Sequence, residues 1–249
     1  MSQSVSYGIH SVRVLLARSP QRVRRVLLAS GRDAGRLSEV RELAQRANVQ
    51  IVAADDGTLD KLAEGGRHQG VVAEILPRAG DPETQLAEAL DGACGAPLLL
   101  VLDGVQDPHN LGACLRSADA AGVTAVIAPK DRAVGLTPVV RKVAAGAAES
   151  VPFVSVVNLA RTLRELKERG IWLIGTADDA DKTLFDADFT GPSALVMGSE
   201  GEGMRRLTRE CCDQLVSIPM AGAVESLNVS VATGVALFEA VRQRRAQRK

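Results

Sequence analysis

Six short apolar runs in the second part of the chain constrain its fold most strongly. Helical stretches lie between or after most of these runs, which cover residues 97–102, 124–128, 152–157, 171–176, 194–197 and 215–218. Runs without strict polar–apolar alternation are typical of strands buried on both faces of a mostly parallel sheet. The sequence therefore predicts an α/β fold. Ligands of such sheets gather at the carboxyl ends of the strands, where we expect the functional residues.

A smaller α/β pattern precedes this sheet. Its predicted helices cover 8–17, 36–48 and 57–63, and its predicted strands cover 24–29, 49–53 and 70–76. The loop at 77–82 contains two prolines and a glycine, which is typical of a boundary. We therefore predict a small domain over 1–78, a linker and lead-in helix over 79–95, and a second domain over 96–249.

The distribution of charge separates the two parts. The whole chain has 30 basic and 30 acidic residues, which excludes an all-basic nucleic-acid coat protein. Residues 1–78 have 12 Lys and Arg against 8 Asp and Glu, and the remainder has 18 against 22. Basic clusters in the first part suit phosphate contacts, although a solvated surface would look the same. The residues of these clusters that we predict to contact the phosphates of a nucleic acid are Arg22, Arg24, Arg25, Arg67, His68 and Gln69. A second basic run near the C-terminus, 242–249, is interpreted as a frayed helix end.

Composition excludes several other classes of protein. No apolar run approaches the roughly 18 residues needed to span a bilayer, so we expect no membrane segment. The first 20 residues lack the apolar block of a secretory signal, which favours the cytoplasm. Four cysteines and three histidines without metal-ligand spacing predict no metal site. Six scattered aromatic residues are too few for a base-stacking platform.

The first motif follows the apolar run that ends at residue 102. Asp107 before Pro108 predicts a helix start, with a capping side chain followed by proline at the first position. Capping does not explain Asn110 and Arg116, which differ by roughly 240° of rotation on a helix. Arg116 lies among small and apolar residues, and a cation in that setting requires an anion.

Two further motifs follow later runs. The segment 198–204 has three glycines in six residues, which permits close backbone approach, although a simple turn would explain it equally well. In the segment 219–232, Ser226 is predicted to cap a helix that runs to about Arg242. Its apolar stripe forms either core or a partner surface and comprises Leu227, Val231, Val235, Phe238 and Val241. Asn228 is left without a structural explanation, and a polar amide there indicates a site.

Together the three motifs resemble the SpoU branch of the SPOUT methyltransferases. N-x-G-A-x-x-R matches residues 110–116, G-x-E-G-x-G matches 198–203, and S-L-N-V-S matches 226–230. The N-terminal part resembles the L30e-type RNA-binding domain attached to many members, including the stretch 67–71. The resemblance implies a parallel sheet with a C-terminal trefoil knot, a homodimer, and S-adenosylmethionine as cofactor. For the dimer we expect an interface built largely from the C-terminal helix and the helix that carries Arg116, with Leu237 as an outward position.

The resemblance also assigns site residues. Those implied to bind the cofactor are Thr176, Ala177, Gly198, Gly203, Ile218, Met220, Ser226 and Leu227. Those implied to be catalytic are Arg116, Asn110, Glu200, Ser226 and Asn228. The family gives Arg116 the role of general base. A guanidinium group stays charged in proteins, so binding a neighbouring phosphate and stabilising a developing alkoxide is the alternative that we favour.

The implied reaction is methylation of a ribose 2′-hydroxyl in 23S rRNA, on a guanosine of the peptidyl-transferase P-loop. The same chemistry on tRNA or another rRNA site stays open, as does a non-catalytic RNA-binding or ribosome-assembly factor. A Rossmann-type nucleotide enzyme is disfavoured because the first strand lacks a following G-x-G-x-x-G. Base methylation would be expected to call for a catalytic cysteine or an acid–base pair. Within the motifs the sole cysteine is Cys114, which we interpret as a packing residue.

Overall fold

A computed structural model describes residues 4–30, 34–76 and 80–247 of the chain. These residues form two compact units. One unit comprises Met1–Ala79 with Leu136–Ser150, and the other comprises Gly80–Gly135 with Val151–Lys249. No helix in the described ranges combines the length and the apolar character needed to cross a bilayer.

The described elements alternate between helices and strands along most of the chain. The strands are β1 Ser4–Tyr7, β2 Val23–Ala29, β3 Gln50–Ala54, β4 Val71–Ile75, β5 Leu98–Asp103, β6 Ala125–Pro129, β7 Phe153–Val156, β8 Trp172–Thr176, β9 Ser193–Gly198 and β10 Gln214–Val216. The helices are α1 Ile9–Arg18, α2 Ala34–Arg46, α3 Asp56–Leu62, α4 Pro82–Asp91, α5 Pro108–Ala121, α6 Pro138–Val143, α7 Ala147–Ser150, α8 Leu159–Glu168, α9 Arg206–Cys211 and α10 Val229–Gln247.

The first unit is a four-stranded mixed sheet in the order β1-β4-β2-β3. β2 and β3 run parallel, whereas β4 is antiparallel to both β1 and β2. The sheet has a core on each face: Val26 packs with Leu15 and Leu37, and Leu27 packs with Leu59. The three predicted helices and three predicted strands of this part are confirmed within a few residues. β1 is not among the predicted strands, although its four residues alternate serine with Val and Tyr, a pattern typical of a strand.

The segment 136–150 packs with the first unit although it lies in sequence within the range predicted as the second domain. Small residues permit the close approach, and a Cβ on Gly146 would lie 2.8 Å from Cγ2 of Val14. Glu149 is 1% exposed and accepts a hydrogen bond from Arg141 at 2.5 Å. Arg22 lies 3.5 Å from the other oxygen of the same carboxylate. Buried opposite charges thus hold the segment in place.

The second unit is a six-stranded sheet in the order β10-β8-β9-β5-β6-β7. Every neighbouring pair is parallel, as the apolar runs predict. β5 is buried along its whole length. Leu99 and Val101 pack in a core with Leu163 of α8. α5 packs against α10, and together with α8 these helices give the sheet the layered covering that its apolar strands require.

The helix ends show why motif residues occupy their positions. The Asp107 carboxylate accepts a hydrogen bond from the amide of Asn110 at 2.9 Å, which confirms the predicted cap of α5. α5 ends at Gly122, whose φ of 72° is left-handed. Because parallel strands end at one edge of the sheet, β5 and α5 deliver the first motif to the carboxyl edge.

The C-terminal helix differs from its prediction at both ends. It begins at Val229 and continues to Gln247, beyond the predicted end near Arg242. Arg244 is not on a frayed end, because its guanidinium donates hydrogen bonds to the carbonyl oxygens of Phe189, Ala96, Pro97 and Gly191. Arg248 and Lys249 of the predicted basic run lie outside the described residues.

We expect Glu149→Ala to lower the free energy of unfolding by about 3–5 kcal/mol, because it leaves the buried Arg141 guanidinium without its carboxylate. Urea denaturation followed by circular dichroism measures this change. Glu39→Ala is the matched control: Glu39 pairs with Arg13 on the surface, so its loss should cost under about 1 kcal/mol. Equal losses of unfolding free energy for the two variants would contradict the role of the buried Glu149–Arg141 pair in stability.

Candidate active site

The three sequence motifs meet at the carboxyl edge of the second sheet. The first follows β5 and the second follows β9, and these strands are direct neighbours. The third spans the start of α10, which packs against α5. The fold therefore brings segments together that are separated by up to 118 residues in sequence.

The Glu200 carboxylate joins the three motifs. Its Oε1 atom accepts hydrogen bonds from Nδ2 of Asn110 at 3.2 Å, from Nδ2 of Asn228 at 2.5 Å and from the amide of Val229 at 3.2 Å. Nδ2 of Asn228 also donates to Oδ1 of Asn110 at 3.0 Å. Three of the five predicted catalytic residues, Asn110, Glu200 and Asn228, thus form one hydrogen-bonded network.

Asn228 also provides the start of α10. Its Oδ1 atom accepts hydrogen bonds from the amide and the hydroxyl of Ser230 at 3.0 and 2.6 Å, and its carbonyl accepts one from the amide of Ala232. The prediction that Ser226 caps this helix is wrong, because Ser226 lies three residues before its first residue. Ser226 is exposed, and no described residue forms a hydrogen bond with its side chain. The side-chain amide of Asn228, for which the sequence alone offers no structural role, therefore caps α10.

Arg116 lies apart from this network. It is exposed near the middle of α5, and no described residue pairs with its guanidinium. Cys114, two residues earlier, is fully buried with its sulfur 3.6 Å from the hydroxyl of Thr233 on α10. Burial raises the pKa of Cys114 to about 11, so the thiol is protonated at neutral pH. Cys114 is a packing residue, as predicted, and Arg116 is free to meet an external anion.

A cavity of about 790 Å³ opens beside the network. All eight residues implied to bind a cofactor line it: Thr176, Ala177, Gly198, Gly203, Ile218, Met220, Ser226 and Leu227. Its apolar lining includes Met197, Met204 and Val216. The loops after β8, β9 and β10 supply most of these residues, so one cavity spans the carboxyl ends of three strands.

The cavity is acidic. Five carboxylates contribute to its lining, at Asp178, Asp179, Glu200, Glu202 and Glu225, against the single cation Arg209. Arg209 is already paired with Asp179 through two hydrogen bonds of 2.9 and 3.0 Å, which hold the pKa of that carboxyl below its usual range. Four of the five carboxylates, all except Glu200, are not among the predicted site residues. The sequence could have indicated them, because they lie next to or within two residues of predicted cofactor-binding residues.

The glycine-rich loop after β9 is fixed from two directions. A Cβ on Gly198 would lie 2.2 Å from the carbonyl carbon of Gly203, so the loop can fold back only onto glycine. The buried Asp103 carboxylate at the end of β5 accepts hydrogen bonds from the amide and Nε of Arg205 at 2.9 and 2.6 Å. These contacts hold the loop that presents Glu200 and one wall of the cavity. Asp103 was not predicted as a site residue, although it directly follows a buried run.

The six predicted RNA-binding residues have different environments in the first unit. Arg24 and Arg67 are exposed. Arg25 pairs with the buried Glu74 at 2.5 Å, and Arg22 lies beside Glu149 as described above.

The remaining two predicted RNA-binding residues have structural partners. Nε2 of the buried His68 lies 3.1 Å from Oδ1 of Asp60, and its Nδ1 accepts a hydrogen bond from the amide of Gly70. Oε1 of Gln69 accepts one from the amide of Ile9 at 3.2 Å. His68 thus has a place inside the unit rather than on a surface that an RNA could contact. Over the described ranges no group of three His, Cys, Asp or Glu side chains has the arrangement of a metal site.

Comparison with known families and proteins gives consistent results. The SpoU rRNA Methylase family model matches residues 97–238, and the model for RNA 2′-O ribose methyltransferase substrate binding matches residues 6–79. The 23S rRNA (guanosine-2′-O-)-methyltransferase RlmB of Pseudomonas syringae is 58% identical over 98% of this chain and 97% of its own length. The corresponding enzyme of Ralstonia nicotianae is 60% identical over 95% and 94%.

Solved structures agree with the same family. The SpoU methyltransferase AviRb from Streptomyces viridochromogenes superposes with a TM-score of 0.83 at 29% identity, covering 98% of this chain and 91% of that one. The same protein in complex with the cofactor AdoMet gives a TM-score of 0.81 at 28% identity, with the same coverage. The parallel α/β sheet is therefore that of SpoU methyltransferases. On the match over 97–238 and the identity over nearly the full length, the chain belongs to the SpoU rRNA methylase family.

Proposed function

We propose that this protein transfers a methyl group from S-adenosylmethionine to the ribose 2′-hydroxyl of a guanosine in 23S rRNA. Relatives at 55–60% identity over nearly their full length are enzymes of that name. One observation carries the proposal: the Asn110–Glu200–Asn228 network and the cavity lie side by side at one edge of the sheet. Every residue that the family resemblance assigns to the cofactor lines that cavity.

The lining of the cavity fits S-adenosylmethionine. Its volume of about 790 Å³ lies within the range of roughly 300–1,000 Å³ common for small-molecule sites. Methionine, valine and leucine side chains suit the faces of an adenine, and backbone groups at the glycines suit its edge. The excess of carboxylates suits the sulfonium and ammonium charges. The same carboxylates repel the phosphates of a dinucleotide, which argues against the Rossmann-type alternative.

The bound cofactor supplies a methyl group activated on a positively charged sulfur. The new bond would join that methyl to the ribose 2′-oxygen, the carbon–sulfur bond would break to leave neutral S-adenosylhomocysteine, and the hydroxyl proton would pass to water. Because the donor is already activated, the protein mainly aligns the acceptor. Asn110, Glu200 and Asn228 orient the ribose beside the cavity, and Ser226 at its rim can add a hydrogen bond.

Arg116 acts as a charged group in this proposal. Its free, exposed guanidinium binds the phosphate next to the acceptor and stabilises negative charge that develops on the oxygen. This role needs no loss of its proton. The alternative role as general base would require a neutral guanidinium, which proteins do not provide.

The first unit supplies RNA affinity in this proposal, as an L30e-like domain. Its exposed Arg24 and Arg67 are the predicted contacts that remain available to phosphates, and the family model over 6–79 describes substrate binding. From the sequence we propose a first domain over 1–78, a linker, and a methyltransferase domain over 96–249. To this division we add that the segment 136–150 belongs with the first domain. The segment 136–150 completes the core of the first unit, so removing residues 1–79 would expose Val140 and Ala144.

Three finer features rest on the family resemblance. We place the modified guanosine in the peptidyl-transferase P-loop, and we place the enzyme in the cytoplasm with its rRNA substrate. We also propose that the C-terminal domain contains the trefoil knot that the family resemblance implies.

A homodimer is the fourth proposed feature. One side of α10 exposes Val231, Val235 and Phe238, the last at 52%. A contiguous apolar surface of this kind on a soluble domain marks an interaction site. The prediction that Leu237 faces outward on the same helix is wrong, because Leu237 is fully buried. Phe238 is therefore the appropriate position to alter.

The proposed product is 2′-O-methylguanosine in 23S rRNA. We expect RNA methylated in vitro by the purified protein with S-adenosylmethionine, digested to nucleosides, to show the added methyl on the sugar fragment in mass spectrometry. Parallel reactions with tRNA test the alternative substrate and should give no product. A methyl group on the base fragment would overturn the mechanism, and loss of activity with all RNAs despite cofactor binding would favour the non-catalytic alternative.

Arg116→Ala should reduce the methylation rate more than tenfold, equivalent to about 1.4 kcal/mol or more of transition-state stabilisation. Cofactor affinity, measured by calorimetry, should stay within about twofold of wild type because Arg116 does not line the cavity. Arg164→Ala serves as the control, since Arg164 is also exposed on a helix and no described residue pairs with it. A variant that keeps more than a tenth of the rate would contradict the role of Arg116.

Phe238→Glu should dissociate the proposed dimer and lower activity in parallel, because it places a charge on the exposed apolar side of α10. Analytical ultracentrifugation at assay concentrations measures the first effect. Val157→Glu is the control, because Val157 is an exposed apolar residue, at 77%, on a different part of the same unit. An active wild-type monomer at those concentrations would refute the dimer.

A further inference from the structure

The loop after β6 carries two cations that the catalytic network does not use. Lys130 and Arg132 are exposed, and neither side chain has a hydrogen bond or ion pair with any described residue. Asp131 between them is also exposed and pairs with neither. By contrast, Arg205, the cation that follows β9, is bound to the buried Asp103. Lys130 and Arg132 are therefore available to an external anion.

The fold places this loop beside the candidate active site. β6 is parallel to β5, and β5 is parallel to β9, so the loops after all three strands open at one edge. Two strand spacings, roughly 10 Å, separate the end of β6 from the loop that bears Glu200. The amide of Val134 donates to the carbonyl of Val105 at 3.0 Å, which joins the β6 loop to the segment before α5.

Gly104 lies at the junction of these loops. Its φ of 91° is left-handed, and a Cβ there would lie 3.6 Å from Cβ of Ser199 and 3.9 Å from the carbonyl oxygen of Arg132. Arg132 and the residue before Glu200 thus flank the same glycine. Arg132 itself has a φ of 58°, a conformation that few non-glycine residues adopt. Its guanidinium pairs with no described residue.

We infer that Lys130 and Arg132 form a phosphate-binding site for the RNA strand that enters the active site. The inference rests on the proposed function, because it assigns the backbone on one side of the target ribose to these two residues. An RNA backbone presents phosphates along its length, and Lys and Arg are the usual residues that position it. The carboxylate of the cofactor is not the anion they meet, because neither residue lines the acidic cavity.

The site complements Arg116. Arg116 lies on α5 and meets the acceptor nucleotide in the proposed mechanism, whereas Lys130 and Arg132 hold the strand on the far side of β5 from the glycine-rich loop. Removing the two side chains should weaken RNA binding and raise the KM for RNA. The maximal rate at saturating RNA and the affinity for cofactor should change little, because neither residue touches the reacting atoms.

The test measures RNA binding and methylation by full-length variants, with an RNA fragment that the wild-type protein methylates. Lys130→Ala and Arg132→Ala together should raise the KM for RNA about tenfold or more. The slope of the logarithm of the binding constant against the logarithm of salt concentration should become shallower by about 0.7–0.9 for each phosphate that the variant no longer neutralises. Arg132→Lys should retain the wild-type slope, and Asp131→Asn should strengthen binding.

Two controls separate this role from a structural one. Arg132→Gly removes the guanidinium but suits the left-handed backbone, so it should bind RNA as weakly as Arg132→Ala without losing thermal stability. Arg164→Ala, on α8, should leave RNA affinity and its salt slope unchanged. An unchanged KM and salt slope in the double alanine variant would overturn the inference while wild-type methylation still supports the proposed function. Failure of the wild-type protein to methylate any RNA would instead overturn the proposed function.

Discussion

The hydrogen bonds accepted by the Glu200 carboxylate are the interaction on which the candidate active site depends. They join the start of α5, the glycine-rich loop and the start of α10, and the hydrogen bond between Asn228 and Asn110 closes the same network. Glu200 is exposed, so water competes for each of these hydrogen bonds and lowers the stabilisation that each one contributes. The loop that carries it must therefore be fixed independently. The ion pair of Arg205 with the buried Asp103 carboxylate and the close approach of Gly198 to Gly203 provide that support.

Much of this arrangement could be predicted from the sequence, because the signals for it are local. Buried parallel strands appear as continuous apolar runs, and the cap formed by Asp107 and Pro108 needs only neighbouring residues. The parallel order then brings motifs after neighbouring strands to one edge. Even the cavity lining agrees with residues that the family resemblance indicated, although the acidic residues around it were not recognised. Their negative charge emerges only when residues at 178–179, 202 and 225 surround one space.

The features that could not be predicted depend on contacts distant in sequence. Arg141, the partner of Glu149, is close to it in sequence. Both residues are buried, however, because their segment packs against α1 and β1, which lie more than 100 residues earlier in the chain. His68 and Gln69 belong to a basic segment, yet Asp60, Gly70 and Ile9 occupy their polar atoms. Leu237 and Phe238 are adjacent in sequence but differ completely in exposure. A rotation of about 100° per residue decides which one is buried, and periodicity locates a helical face only to about that accuracy.

Asn228 connects the active site to the proposed dimer surface. Its Nδ2 atom belongs to the Glu200 network, while its Oδ1 atom caps α10, whose exposed side carries Val231, Val235 and Phe238. Val231 is only three residues from Asn228, within one helical turn. A partner that packs on this surface therefore restrains the same turn that holds an active-site amide. Stabilising that turn limits the fraying that would release Asn228 from Glu200, so association of two copies and order in the active site should reinforce each other.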